Sequence, residues 1–217
     1  MAYRPTPGTE AKKLAMRQRL LAAASELFVS QGYDGTSLQQ IVKAAGTSIG
    51  NCYFYFPNKE AILFAIGAQL RSDLAFEIDS AIENVEAGLA RFSVAIYVGV
   101  IATLARADLA RVVFIDSALP SVRNLTMEMF AGRARKAFSE TPQLFEGWPE
   151  ASPDLAAAAW HGSVYYVLEG VLSGRIQDPP STVARFAVRW NLQSLGLPFP
   201  IVSEALEALP QLIDQSR

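Results

Sequence analysis

One cysteine and one histidine in 217 residues leave this chain almost without the side chains that bind metals or cross-link covalently. A disulfide framework is excluded, and Cys52 and His161, far apart in sequence, do not supply the four ligands of a closed zinc site. No cofactor or metal is expected. Long apolar runs are missing as well. The most apolar stretch, 92–104, is bracketed by Arg91 and Arg106 and falls short of the roughly 20 residues of a membrane span, so it reads as a buried helix and no membrane partner is expected. Met1 to Lys13 is polar with two prolines and resembles neither a signal nor a transit peptide, which together with the single cysteine predicts a reducing, cytoplasmic setting. Strand-like alternation is absent too, and an all-α chain is expected.

What is present is apolar content of 51% and an uneven charge. Residues 1–71 hold eight Lys/Arg against four Asp/Glu, whereas 72–217 hold eleven against seventeen. A basic head can approach phosphates while an acidic body stays off them. The length suits a small head on a larger body.

The stretch Thr36–Phe56 organises the head. Leu38, Ile41, Val42 and Ala45 recur at i, i+3, i+4 and i+7, the face of a short helix. Thr36 or Ser37 caps it, with Gln39 or Gln40 three residues on to complete a capping box, and Gly46 stops it. Ser48 then caps a second helix from Ile49, which Pro57 ends. Two helices joined by a glycine turn form a helix-turn-helix, whose second helix enters a DNA major groove. Ahead of it, residues 1–8 read as a flexible arm. From about Thr9 an amphipathic helix carries Leu20, Ala23, Ala24, Leu27 and Phe28 and ends at Gly32. Lys12, Lys13, Arg17 and Arg19 on it are placed to reach phosphates or to solvate a helix end.

Leu20, Ala23-Ala24, Leu27-Phe28, Gly32, Thr36-Ser37, Ile41, Ala45-Gly46, Ser48, Gly50, Tyr53, Phe56, Lys59 and Leu63 together resemble the N-terminal signature of the TetR family of bacterial transcriptional regulators over about residues 11–64. The resemblance implies an all-α fold: a three-helix helix-turn-helix head, 1–58, and a larger helical bundle, 59–217, for ligand binding and dimerisation. It implies a DNA-binding, ligand-responsive repressor, a homodimer on a palindromic operator of double-stranded DNA, released by a small, largely hydrophobic effector. The matching positions make Thr36, Ser37, Ser48, Tyr53 and Lys59 phosphate contacts, and Ile49, Gly50, Asn51, Phe54 and Tyr55 the residues facing base edges or their flanks. Chemistry agrees, since asparagine bonds adenine at two points, an aliphatic group touches a thymine methyl and a glycine lets the backbone come close. Three positions depart from the family pattern: Ile49, Cys52 and Tyr55. No Arg or Lys lies between Ser48 and Phe56, which removes the basic fork that reads guanine and shifts preference towards DNA shape or the arm. Cys52 reads as a small core residue.

In the body, Asn58 caps a long helix from Lys59 with Ile62, Ile66, Leu70, Leu74, Ile78 and Ile82, which couples head to body. Glu86–Leu109 reads as a central apolar helix lining any pocket, Leu109–Ala118 as a short one, and Ser121 as the cap of another reaching Ala134. Residues 139–153 read as a loop that connects helices or lies over the pocket. Asp154–Gly174 and a helix from Ser181 follow, then a last one, Ile201–Ile213. The pair within about 154–195 resembles the helices through which the family dimerises. Tyr97, Phe114, Asp116, Met127, Phe130, Trp160 and Tyr165 are candidate ligand-binding residues, aromatic and soft enough to line an apolar cavity. His161, with polar sequence neighbours, reads as a structural or interface histidine or a ligand contact.

Gly46-Thr47-Ser48-Ile49-Gly50 also spells a nucleophile elbow, and Ser48, Asp116 and His161 stand in α/β-hydrolase order. The elbow needs a strand before it, whereas Leu38–Ala45 has helical period, so no enzyme is expected. A helical interaction scaffold with a degenerate head is the other alternative.

Overall fold

The computed structural model describes residues 7–116, 119–141 and 152–214. Among these residues there are ten α-helices and no strand: α1 (Pro7–Gln31), α2 (Leu38–Ala44), α3 (Ile49–Tyr55), α4 (Lys59–Ile82), α5 (Leu89–Leu104), α6 (Ala107–Ala110), α7 (Pro120–Glu140), α8 (Pro153–Leu172), α9 (Pro180–Ser194) and α10 (Phe199–Asp214). A π-helical turn, Arg111–Ile115, follows α6.

The head forms as the periodicity predicts. Leu20, Ala23, Ala24 and Phe28 of α1 are buried together with Ile41, Val42, Cys52 and Phe56. Gly32 ends α1 at φ 78° and Gly46 ends α2 at φ 61°, a region where only glycine is unstrained. Of the arm expected over 1–8, residues 7 and 8 are already the first turn of α1, and 1–6 lie outside the described residues.

Helix α4 is the spine. Ile62, Ile66, Leu70, Leu74 and Ile78, one every fourth residue, are all buried. It packs on α1, α5 and α7. In the body α5 is central, in contact with α4, α8, α9 and α10. It is apolar on most sides because it has neighbours on most sides.

Several expected boundaries are corrected. The helix expected over Glu86–Leu109 starts at Leu89, because Gly88 adopts φ 118°, and it stops at Leu104. Neither glycine nor proline marks that stop. The chain turns at Ala105–Arg106 so that Ala110 and the consecutive Val112, Val113 and Phe114 can all be buried. The widened turn, closed by Asp116 N–H donating to the Arg111 carbonyl at 2.9 Å, lets neighbouring residues share one face. Ser121 does not cap α7, and α9 begins at Pro180, one residue before the expected Ser181. Pro120 and Pro180 open these helices instead, since a first-turn residue needs no amide hydrogen and proline already has helical φ. Helix α7 continues past Ala134 to Glu140, burying Phe138, so of the expected loop Ser139 and Glu140 are helical. Ser152 caps α8, whose first residue is Pro153, and 142–151 lie outside the described residues.

Candidate nucleic-acid interface and body cavity

The helix-turn-helix is held by side chains that satisfy helix ends. Ser37 Oγ accepts from Gln40 N–H at 3.2 Å while Ser37 N–H donates to Gln40 Oε1 at 2.7 Å, a reciprocal capping box. Ser48 Oγ accepts from Asn51 N–H at 3.2 Å, and Asn58 Oδ1 from Ala61 N–H at 2.8 Å. Two cations tie the parts together. The Arg19 guanidinium donates to the carbonyls of Ala45 and Gly46 at the turn, and Lys59 Nζ donates to those of Tyr33 and Thr36 at 2.6 and 2.8 Å, over the Tyr33 ring.

The outward face of α3 is apolar and aromatic. On this seven-residue helix only Cys52 is buried, while Tyr53 is 54% and Phe54 68% exposed and Ile49 and Gly50 also face solvent. Folding gives no reason for such a face, and exposed contiguous apolar groups mark a contact surface. Cations border it: Lys13 Nζ lies 5.8 Å from the Phe54 ring and Arg17 Cζ 5.2 Å from that of Phe56. Asn51 Nδ2 donates to Thr47 Oγ1 at 2.8 Å, which orients its amide, and Tyr55 packs edge-on against Phe54.

The expected phosphate contacts do not form one uniform set. Ser37, Ser48 and Tyr53 are exposed, but Thr36 is 2% exposed and its hydroxyl donates to the Gly32 carbonyl at 2.7 Å. Lys59 is committed to carbonyls in the same way. The family pattern pointed to both residues without revealing these internal bonds. Cys52 is fully buried, and burial raises its thiol above the ordinary 9.0, an inert core setting.

A cavity of about 200 Å³ lies in the body among α4, α5, α7, α8 and the π-helical turn, with mostly apolar walls. Of the expected ligand residues, Phe114, Met127, Phe130, Trp160 and Tyr165 line it. Tyr97 and Asp116 do not. Tyr97 is half-buried against the core, and Asp116 is exposed and paired with Arg111 at 2.9 Å. As expected, α5 lines the cavity, through Phe92, Ile96, Val100 and Thr103, a helical stripe whose spacing was the available signal. His161 also lines it: its Nε2 is 2.9 Å from Met127 Sδ and its ring stacks on Phe130 at 6.0 Å. Burial lowers its pKa below the ordinary 6.5, so the imidazole is neutral near pH 7.

The elbow reading fails on geometry. Gly46–Gly50 joins two helices, Ser48 caps α3, and His161 lies in the body against Met127 and Phe130 while Asp116 pairs with Arg111. Among the described residues no group of three His, Cys, Asp or Glu is placed to hold a metal, and no helix is long and apolar enough to cross a membrane.

Residues 20–66 match the family described as bacterial regulatory proteins, tetR family. The HTH-type transcriptional regulator RutR of Escherichia coli (strain K12) is 41% identical over 56 residues, 26% of this chain and 26% of RutR. The chain thus spans about a quarter of the length of that relative. Over the whole fold it is similar to a TetR-family transcriptional regulator of Syntrophomonas wolfei, with a TM-score of 0.72, 15% identity and coverage of 85% and 97% of the two chains. It is also similar to SmeT, the repressor of the Stenotrophomonas maltophilia multidrug efflux pump SmeDEF, with a TM-score of 0.69, 21% identity and coverage of 82% and 89%. SmeT has been solved as a complex with triclosan too.

Proposed function

We propose that this chain, a member of the TetR family of bacterial regulatory proteins, is a ligand-responsive transcriptional repressor. A head of residues 1–58 binds a palindromic operator, and a body of residues 59–217 dimerises and takes a small, substantially hydrophobic effector. The reading assigns it a cytoplasmic place and no catalysed reaction. The observation that carries it is the outward face of α3, aromatic, capped by Ser48 and bordered by Lys13 and Arg17. Ile49, Gly50, Asn51, Phe54 and Tyr55 then face the bases, while Ser37, Ser48 and Tyr53 contact phosphates. Thr36 and Lys59 act mainly by holding the loop before α2, and the third Lys59 proton is left for a phosphate.

A homodimer through about 154–195 is supported by apolar surface on α8 and α9. Leu155 and Tyr166 are exposed, and so are Phe186 and Trp190, whose rings stack at 6.0 Å. Coupling has a packed route. Phe114 and Ile115 of the π-helical turn line the cavity, α6 just before it touches α1, and a Cβ on Gly67 of α4 would lie only 2.8 Å from Val122 Cγ1 and 3.4 Å from Val113 Cγ1. A close seam of this kind passes displacement on instead of absorbing it. A coupling of about 1–3 kcal/mol changes operator occupancy many-fold.

Selection of duplexes from a random DNA pool with the purified protein, at near-physiological salt, tests the reading. A palindrome with half-sites about one or two helical turns apart is expected. Failure to enrich any sequence, with normal dimerisation, would replace the regulator by an interaction scaffold.

A further inference from the structure

Nothing inside the chain requires Gly50 to be glycine. It lies within α3, its φ is not positive, and a Cβ built on it would meet no atom within 4 Å. Alanine would therefore fit there and would favour the helix. What glycine alone supplies is a gap in the outward face of α3, which matters only to something that docks on that face.

The walls of the gap are apolar. Tyr53 and Phe54 stand three and four residues after Gly50, its neighbours on one side of the helix, and Ile49 stands four before Tyr53. All three are exposed. The helix itself carries no cation, and the nearest ones are held off it. Arg19 and Lys59 donate to loop carbonyls, while Lys13, paired with Glu10 at 3.2 Å, and Arg17 lie against the rings of Phe54 and Phe56. Asn51 spends one amide hydrogen on Thr47 Oγ1.

A DNA major groove offers such a surface one complement. Every recognition group on its base edges is a hydrogen-bond donor or acceptor except the C5-methyl group of thymine. An apolar wall pressed on a donor or acceptor strips its water and returns no bond, whereas a methyl group gains by leaving water. The cations that border the face supply the charge complementarity that a duplex needs.

We infer that the gap over Gly50, walled by Tyr53 and Phe54 with Ile49 beside them, receives the C5-methyl group of a pyrimidine: thymine, or 5-methylcytosine, which presents the same group at the same place. This rests on the reading of α3 as the helix that meets the bases, and it names what that helix reads. Gly50 sets the specificity by leaving room for the methyl group, and the walls supply its apolar contact.

Selection with the purified protein from two random duplex pools tests this, one pool with thymine in the randomised region and the other with deoxyuridine, which lacks the methyl group. The thymine pool should yield half-sites with a thymine whose replacement by deoxyuridine weakens binding roughly three- to fourfold per half-site, about tenfold for both. At that position 5-methylcytosine should bind roughly three- to fourfold better than cytosine. Gly50→Ala puts a methyl group of the protein in the gap. The variant should melt no lower than the unmutated protein, yet lose the preference for thymine over deoxyuridine or reverse it. Equal binding of thymine and deoxyuridine sites by the unmutated protein would overturn the inference whatever the variant does, and leave the regulator standing. A thymine preference that survives Gly50→Ala would overturn the gap as its source. No enrichment from the thymine pool would sink the regulator reading and this inference with it.

Discussion

Head and body are built from the same kind of element and held by different means. In the head the helices are short, and three successive starts are capped by the side chains of Ser37, Ser48 and Asn58, with Arg19 and Lys59 bonded to loop carbonyls. In the body Ser152 caps α8, but α5, α7 and α9 begin at Gly88, Leu119 and Pro179 with no side-chain cap, and apolar burial against several neighbours holds them. In the proposed reading, a surface that meets DNA in one orientation benefits from directional bonds, and a cavity that takes a guest benefits from contacts that slide.

The largest expected effect comes from the small core of the head. Phe28 is fully buried there, and Phe28→Ala should cost about 3–5 kcal/mol. Hydrogen exchange should show amides of α1 to α3 losing protection while those of α5 and α9 keep theirs, with DNA binding lost. Equal loss across α5 would mean that head and body open as one unit, and would erase the distinction drawn above.

A second contrast sets a tie in the head against an ion pair in the body. Lys59 donates to two carbonyls and lies 4.0 Å from the centroid of the Tyr33 ring, so Lys59→Ala should cost about 2 kcal/mol. Arg106 is paired with Glu77 on a surface where both are about a third exposed, and Glu77→Ala should cost about 1 kcal/mol or less. Chemical denaturation of the two variants checks the order. Lys59→Ala should also weaken binding to every DNA sequence and reduce the salt slope by about one unit. An unchanged salt slope would confine Lys59 to its structural role.

Serines give a finer version of the same test. Ser37→Ala removes a working cap and should cost about 1 kcal/mol, whereas Ser121→Ala, one residue into α7 behind Pro120, should stay within about 0.5 kcal/mol. Equal costs would show that the start of α7 depends on local polar contacts after all.

The same contrast explains what the sequence made legible. Head signals are local: a hydroxyl and its partner three residues on, a glycine at a required positive φ, an apolar stripe at helical spacing. Gly32, Gly46, Ser48 and Asn58 could therefore each be placed from their neighbours alone, and the cap of α2 was narrowed to Thr36 or Ser37 with Gln39 or Gln40, of which Ser37 and Gln40 form the box. In the body the decisive facts are non-local. Nothing near residue 105 announces a helix end, because the break follows from burying Val112 to Phe114 against α4, α7 and α8. Tyr97 and Phe114 look equally suited to a ligand in sequence, and only the packing of α5 and the π-helical turn decides which of them reaches the cavity. Thr36 and Lys59 matched a DNA-contact pattern, while their bonds to main-chain carbonyls across the loop were invisible to spacing.

The smallest expected effect lies in the body, at the one histidine. His161 is held among Met127, Phe130, Trp160 and Tyr165, and burial lowers its pKa from the ordinary 6.5. In the unfolded chain it takes up a proton as pH falls through 6.5, whereas in the folded chain it stays neutral to lower pH. The unfolded state then binds more protons, so stability falls as the pH is lowered from 6.5 towards the folded value and is insensitive to this group above it. Tyr165, its titratable ring neighbour, is shifted up from 10.0 mainly by burial and contributes nothing in that window. Melting temperatures of the unmutated protein and of His161→Gln, followed from pH 7.5 to 5, isolate the term. The difference between them should change below pH 6.5, with the histidine protein losing stability faster. Parallel curves would mean that the cavity wall opens enough on acidification to hydrate the imidazolium, the compliance that sets the body apart from the head.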